Sequence, residues 1–220
     1  MTREVHDRRP VRTRNTRWAA AAARYLRQKG CTPNAISLFS IVFALLSCLC
    51  FLAVWQVENI TLQRGLLLLA IVGIQGRLIC NLLDGMVAVE GGLRSPAGAV
   101  FNELPDRVSD SVLFLGAGYG LMAVPAGVEF GWAASLFALF TAYVRLLGGT
   151  CGLAQQFSGP MAKQHRMALL TAATAIAIVL PQWGQPTLLG ALVLIAVGAA
   201  WTTVRRTRHI IQSLHQGHTQ

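Results

Sequence analysis

The chain has 220 residues, of which 54% are hydrophobic and only 13% charged, and its formal net charge is +10. A soluble domain carries about 25% charged residues, so this composition excludes a typical cytosolic enzyme, a disordered chain and, with five cysteines and no C-x-x-C pair, a disulfide framework or zinc site. What is left is an integral membrane protein, because several windows reach the roughly 20 apolar residues that a bilayer crossing needs.

In chain order, the first feature is basic. Arg3, Arg8, Arg9, Arg12, Arg14, Arg17, Arg24, Arg27 and Lys29 all precede the first long apolar run. Because this flank leads straight into membrane spans, its expected partner is the anionic headgroups of membrane lipids, not nucleic acid. Residues 18–26, Trp-Ala-Ala-Ala-Ala-Ala-Arg-Tyr-Leu, predict a short helix lying in the interface with Trp18 and Tyr25 as anchors.

Six apolar stretches follow, at about 35–55, 62–89, 98–124, 130–149, 167–180 and 187–204. Breakers separate them: Glu58-Asn59, Gly91-Gly92 with Ser95-Pro96, Pro125-Ala-Gly127, Ser158-Gly159-Pro160 and the prolines at 181 and 186. Backbone polar groups in a bilayer must be satisfied within the segment, and Ala-, Leu- and Gly-rich runs without alternation favour helices over a barrel. The expected fold is therefore all-α: a six-transmembrane-helix bundle at 35–204, preceded by a basic tail and interfacial amphipathic helix at 1–34 and followed by a tail at 205–220. Arg94, Arg107, Arg145, Lys163, Arg166, Arg205, Arg206 and Arg208 share one side with the N-terminal flank, whereas the other side offers only Arg64. That asymmetry places both termini in the cytosol, in a multi-pass protein of the cytoplasmic (inner) membrane.

Five of the nine acids (Asp84, Glu90, Glu103, Asp106 and Asp110) fall between positions 84 and 110, at the cytosolic ends of the second and third spans. Acids at such depth are costly and mark a functional site by default. Asn81 and Asp84 are three apart, and Asn102, Asp106 and Asp110 follow one another at intervals of four, so each set shares a helical face. Two oxygen-bearing faces joined by a short loop form a cage suited to a hard cation such as Mg²⁺, Mn²⁺ or Ca²⁺. Gly85 and Gly98 flank these acids, where a missing side chain lets a ligand or a neighbouring helix reach the backbone. Arg145, Lys163 and Arg166 lie on the same side; they serve either as positive-inside anchors or as a binding set for an anionic acceptor. Arg77, one turn before Asn81, can pair with Asp84 or Asp110 or touch a phosphate.

The spacing Asn81-x2-Asp84-Gly85-x2-Ala88-Val89-x8-Gly98-x3-Asn102-x3-Asp106 resembles the signature of the CDP-alcohol phosphotransferases, D-x2-D-G-x2-A-R-x8-G-x3-D-x3-D, with every interval kept. Thr32-Pro33-Asn34-Ala35-Ile36-Ser37 and Ser95-Pro96-Ala97-Gly98-Ala99 resemble two flanking pieces of the same family. Three positions depart from it: Asn81 and Asn102 stand for aspartates, and Val89 stands for the arginine. Each aspartate-to-asparagine change keeps an oxygen ligand but removes a unit of negative charge, which Glu103 and Asp110 are placed to restore.

The resemblance implies a transferase that moves a phosphatidyl or other phospho-alcohol group from a CDP-linked donor, such as CDP-diacylglycerol, to an alcohol acceptor, releasing CMP in phospholipid biosynthesis. It further implies a two-metal centre with Mg²⁺ or Mn²⁺ as cofactor, a homodimer, metal ligands at Asn81, Asp84, Asn102 and Asp106, and Asp106 as general base. Asp84, Gly85, Ala88 and Gly98 would border the CDP. Two alternatives stay open at this stage: a weak or inactive relative that binds lipid or a partner, and a small transporter.

Overall fold

The computed structural model describes residues 16–90 and 96–217; the arginines at 3–14, Arg94 and the loop at 91–95 lie outside the described residues. Every regular element among the described residues is helical: α1 (Arg17–Gln28), α2 (Pro33–Val54), α3 (Ile60–Glu90), α4 (Gly98–Gly120), α5 (Gly127–Thr150), α6 (Lys163–Val179) and α7 (Gly184–Gly217), with a 3₁₀ turn at Pro181–Trp183.

Local chemistry sets where these helices begin. Thr32 Oγ1 accepts from the Ala35 amide at 3.2 Å, and Pro33 occupies the first turn of α2, where its missing N–H costs nothing. Asn59 Oδ1 accepts from the Thr61 and Leu62 amides at 2.9 and 3.2 Å and so starts α3. Before α5 the chain turns through Ala126, at φ 64°.

Six long helices run back and forth and close into a ring. α2 packs between α3 and α4; α4 packs on α5, α5 on α7, α7 on α6, and α6 returns to α3. Small side chains let these helices approach one another: Ala44, Ala70, Ala117, Ala134, Ala138 and Ala191 are all buried in the shared core. α4 also crosses α5 closely, where a Cβ on Gly118 would lie 2.7 Å from Gly131 Cα. The outer faces carry large apolar residues, among them Leu45 and Leu49 on α2, Leu68 and Val72 on α3, Leu136 and Phe140 on α5, and Leu194 and Val197 on α7. An apolar exterior around an interior of small residues is what hydrocarbon surroundings require.

Four helical stretches, Pro33–Val54, Ile60–Val89, Gly127–Thr150 and Pro181–Gln216, are long and apolar enough to cross a membrane, so the chain is a multi-pass membrane protein. α4 and α6 belong to the same ring but fall short of that measure for chemical reasons. α4 carries Asn102, Glu103, Asp106, Arg107 and Asp110, while α6 has 17 residues and begins with Lys163 and Arg166.

At the chain ends the structure refines the sequence expectation. α1 spans the Trp18 stretch and rests Ala19 and Ala23 against the last turns of α3, leaving Trp18 and Tyr25 exposed. The segment from 205, expected as a tail, instead continues α7 to Gly217. Hydropathy drops there because of the arginines, yet Arg206 and Ile210 are buried. Arg206 donates to the Thr141 and Ser158 carbonyls at 2.6 and 3.1 Å, tying the extension of α7 to α5.

Candidate active site

The alternation of helix directions brings the end of α3 and the starts of α2, α4 and α6 to one end of the ring. α3 presents Arg77, Asn81 and Asp84 there, at intervals of four and three, on one face. α4 presents Asp106 and Asp110, one turn apart, and α6 presents Lys163 and Arg166. Pro105, immediately before Asp106, lacks the amide that would close the helical hydrogen bond to the Phe101 carbonyl, which loosens α4 at this point.

Asp106 is the hub. Asn81 Nδ2 donates to its Oδ1, Lys163 Nζ lies 2.6 Å from both carboxylate oxygens, and Arg77 and Arg107 stand at 3.5 Å. One turn deeper, Asp110 is fully enclosed between two guanidinium groups. Arg77 Nη2 lies 2.5 Å from Oδ1, an ion pair off the line of a hydrogen bond, and Arg166 Nη2 donates to Oδ2 at 2.9 Å. Each arginine also uses Nη1 to reach beyond the pair: Arg77 donates to Met167 Sδ on α6 at 3.0 Å, and Arg166 to Thr141 Oγ1 on α5 at 3.1 Å and to the Met161 carbonyl at 3.0 Å.

Asp84 differs from both. Ser37 Oγ on α2 donates to its Oδ2 at 2.5 Å. The side chain is buried, and Oδ1 has no hydrogen-bond partner among the described residues. A buried carboxylate oxygen in that state costs on the order of 1–3 kcal/mol or more, a cost that a cation beside it would remove.

Glu103 points elsewhere. Its Oε2 lies 2.5 Å from Arg145 and 3.3 Å from Arg107, and Arg145 stacks over the Phe157 ring at 5.0 Å from the centroid. The two acids expected to restore negative charge are therefore both occupied by arginines, Glu103 by Arg145 and Arg107, and Asp110 by Arg77 and Arg166. Asn102 is exposed and does not join the Asn81–Asp84–Asp106 centre by any hydrogen bond among the described residues. Ala88 and Gly98 are half-buried, at the open end of the same helices. Of the basic set, Arg166 is buried within the Asp110 pair and Arg145 is engaged with Glu103, whereas Lys163 keeps some exposure, with 15% of its side chain accessible.

Ser37, Thr141 and Met167 hold this site together; the sequence reading reached Ser37 only as the end of the Thr32–Ser37 piece, without a role, and gave Thr141 and Met167 none. A signal for Ser37 did exist. Ser37, Ser40 and Ser47 recur on one face of the otherwise apolar α2, and all three are buried.

As a test of fit for a divalent ion, the donors divide into two halves. Asp84, with its unpartnered oxygen, and the Asn81 amide oxygen suit one hard cation. Asp106 has both oxygens on an ammonium, and no group of three or more acids, histidines or cysteines placed to hold a metal occurs among the described residues. The side chains present fit one ion at Asp84 and Asn81.

The ring of six helices is a fold shared with solved structures of a phosphatidylinositol phosphate synthase. Crystal structures of phosphatidylinositol phosphate synthase (PgsA1) from Mycobacterium tuberculosis superpose on it at 20% sequence identity. The form with CDP-DAG bound gives a TM-score of 0.73 over 89% of this chain and 94% of that one, the complex with manganese and citrate 0.70 over 87% and 88%, and the apo form 0.69 over 87% and 95%. In sequence, the chain is 29% identical over 183 residues to the inner membrane protein YnbA of Escherichia coli (strain K12), covering 82% of this chain and 84% of that protein. No family model matches.

Proposed function

We propose that this protein is a CDP-alcohol phosphotransferase: it moves a phosphatidyl or related phospho-alcohol group from a CDP-linked lipid to an alcohol, releasing CMP. The observation that carries this reading is the contact of Asn81 with Asp106, with Asp84 one turn beyond Asn81 on α3, all three at the signature's intervals, on a fold shared with a synthase solved with CDP-DAG bound.

In the reaction, the acceptor hydroxyl attacks the β-phosphorus of the donor, a new P–O bond forms, and the pyrophosphate P–O bond breaks with its electron pair leaving on CMP. Asp106 is the group placed to take the acceptor's proton. Lys163, on both of its oxygens, holds the carboxylate in place and presents positive charge at the mouth of the site. A Mg²⁺ or Mn²⁺ ion held by Asp84 and Asn81 supplies charge screening of the pyrophosphate when bound. Gly85, Ala88 and Gly98 border the nucleotide, and Lys163 and Arg107 face an anionic acceptor, with Arg145 and Arg166 behind them.

All six long helices span the cytoplasmic membrane in this reading, α1 lies at its surface, and both termini and the site face the cytosol, as the arginine and lysine asymmetry requires. The enzyme acts as a homodimer. Release of CMP from labelled CDP-diacylglycerol by the purified protein, with a divalent metal and a panel of alcohols, tests the assignment.

One observation favours a second reading, that of a relative without turnover: the carboxylate of Asp106 is already neutralised by Lys163. Absence of CMP release with every acceptor would support it. A transporter fits less well, since the polar groups gather at one end and Phe114, Leu113 and Leu121 close the core beyond them.

A further inference from the structure

We propose that Lys163 takes the place of a second divalent cation, so that the centre holds one metal ion, on Asp84 and Asn81, and one ammonium, on Asp106. The inference deepens the functional reading above and rests on it for the identity of the reaction, but not for the occupancy of the site.

Three observations support it. First, the carboxylates that would hold a second ion are not available. Asn81 and Asn102 carry no charge, Asn102 stays outside the centre, and Asp110 and Glu103 are each taken by two arginines. Second, Asp106, the remaining acidic group for it among the described residues, has both oxygens 2.6 Å from Lys163 Nζ, and a metal there would have to displace the ammonium. Third, Asp84 stands one turn along α3 from Asn81, which donates to Asp106, yet its Oδ1 is buried with no hydrogen-bond partner among the described residues. The centre is thus saturated on its Asp106 side and open on its Asp84 side.

Lys163 is also held in a way that suits the role. It opens α6, and three residues on Arg166 fixes that first turn to α4 and α5 through Asp110 and Thr141. The ammonium is therefore delivered from a rigid turn. As a compact point charge with three donors, it can keep Asp106 and still offer a proton to a phosphate oxygen.

The test is Mn²⁺ binding to the purified protein in detergent, without nucleotide, read by the electron paramagnetic resonance of free Mn²⁺ and by calorimetry. The native chain and Lys163→Arg should bind one ion. Lys163→Met and Lys163→Gln free Asp106, and should bind a second ion or hold the first tighter by on the order of tenfold, because a repelling unit charge has been removed. Adding Asn81→Asp and Asn102→Asp to Lys163→Met should give two. Two ions on the native chain, none on it, or an unchanged number and affinity in both Lys163→Met and Lys163→Gln would overturn the proposal. One ion on the native chain with a gain in the variants, but no CMP release from any preparation, would leave it standing and sink the transferase reading instead.

Discussion

Asp110→Asn is the sharpest perturbation available, because it nearly preserves shape while removing the charge between two guanidinium groups. Arg77 and Arg166 are 0% and 1% exposed, so neither can turn to water once the carboxylate is gone. Removing one partner from a buried ion pair costs about 3–5 kcal/mol, since the remaining charge stays buried and uncompensated. With a shift of roughly 2–4 °C per kcal/mol for a chain of this length, the Tm should fall by about 6–20 °C. Thermal unfolding in detergent, followed by intrinsic fluorescence from the five tryptophans, measures it. Arg77→Met, Asp110→Leu and Arg166→Met combined should recover most of the loss, because apolar groups of similar volume replace a buried triad at little cost. An Asp110→Asn protein that melts within about 2 °C of the native one would show that the triad does not tie α3, α4 and α6 together as argued.

Three further outcomes are expected. Asp84→Ala should lower CMP release by at least about a hundredfold, with several kcal/mol of transition-state stabilisation lost, while the protein still inserts and melts normally; turnover near the native rate would contradict the role given to Asp84. Gly118→Val should cost about 1–3 kcal/mol by forcing apart α4 and α5, whose closest approach an added Cβ would meet at 2.7 Å, and an unchanged Tm would count against that crossing. In a background cleared of the native cysteines, Glu58→Cys should react with an impermeant maleimide from outside intact cells and Ser158→Cys only after permeabilisation; the reverse pattern would invert the topology.

The fold was legible in the sequence to the extent that hydropathy and spacing encode it. Six apolar stretches correspond to α2 through α7, because breakers such as Asn59, Pro125 and Pro181 stop helices whatever they pack against. The extension of α7 past 205 was not legible, since Arg205, Arg206 and Arg208 read as a solvated tail and only the Thr141 and Ser158 carbonyls explain why Arg206 is buried. Within the site, spacing alone placed Asn81 with Asp84 and Asp106 with Asp110, because helical periodicity is local. Which carboxylates stay free was not legible, because it depends on contacts between residues far apart in the chain: Lys163 with Asp106, Arg166 with Asp110, Arg145 with Glu103.

The departures from the signature make physical sense together. A centre of four aspartates and one arginine with two divalent ions carries one formal positive unit. Asp84 and Asp106 with Lys163 and one divalent ion carry the same. Losing the charges at 81 and 102 would leave a two-ion site strongly positive and poorly held, whereas losing them along with the arginine at position 89 and one ion, and bringing in Lys163, keeps the field that a pyrophosphate meets. On this account Asn81, Val89, Asn102 and Lys163 form one coupled set. Asn81→Asp with Asn102→Asp in the presence of Lys163 should then tighten the one ion without adding a second, while the same pair with Lys163→Met should bind two. Equal gains in the two backgrounds would uncouple Lys163 from the asparagines and return it to the role of a phosphate-facing lysine beside a depleted metal site.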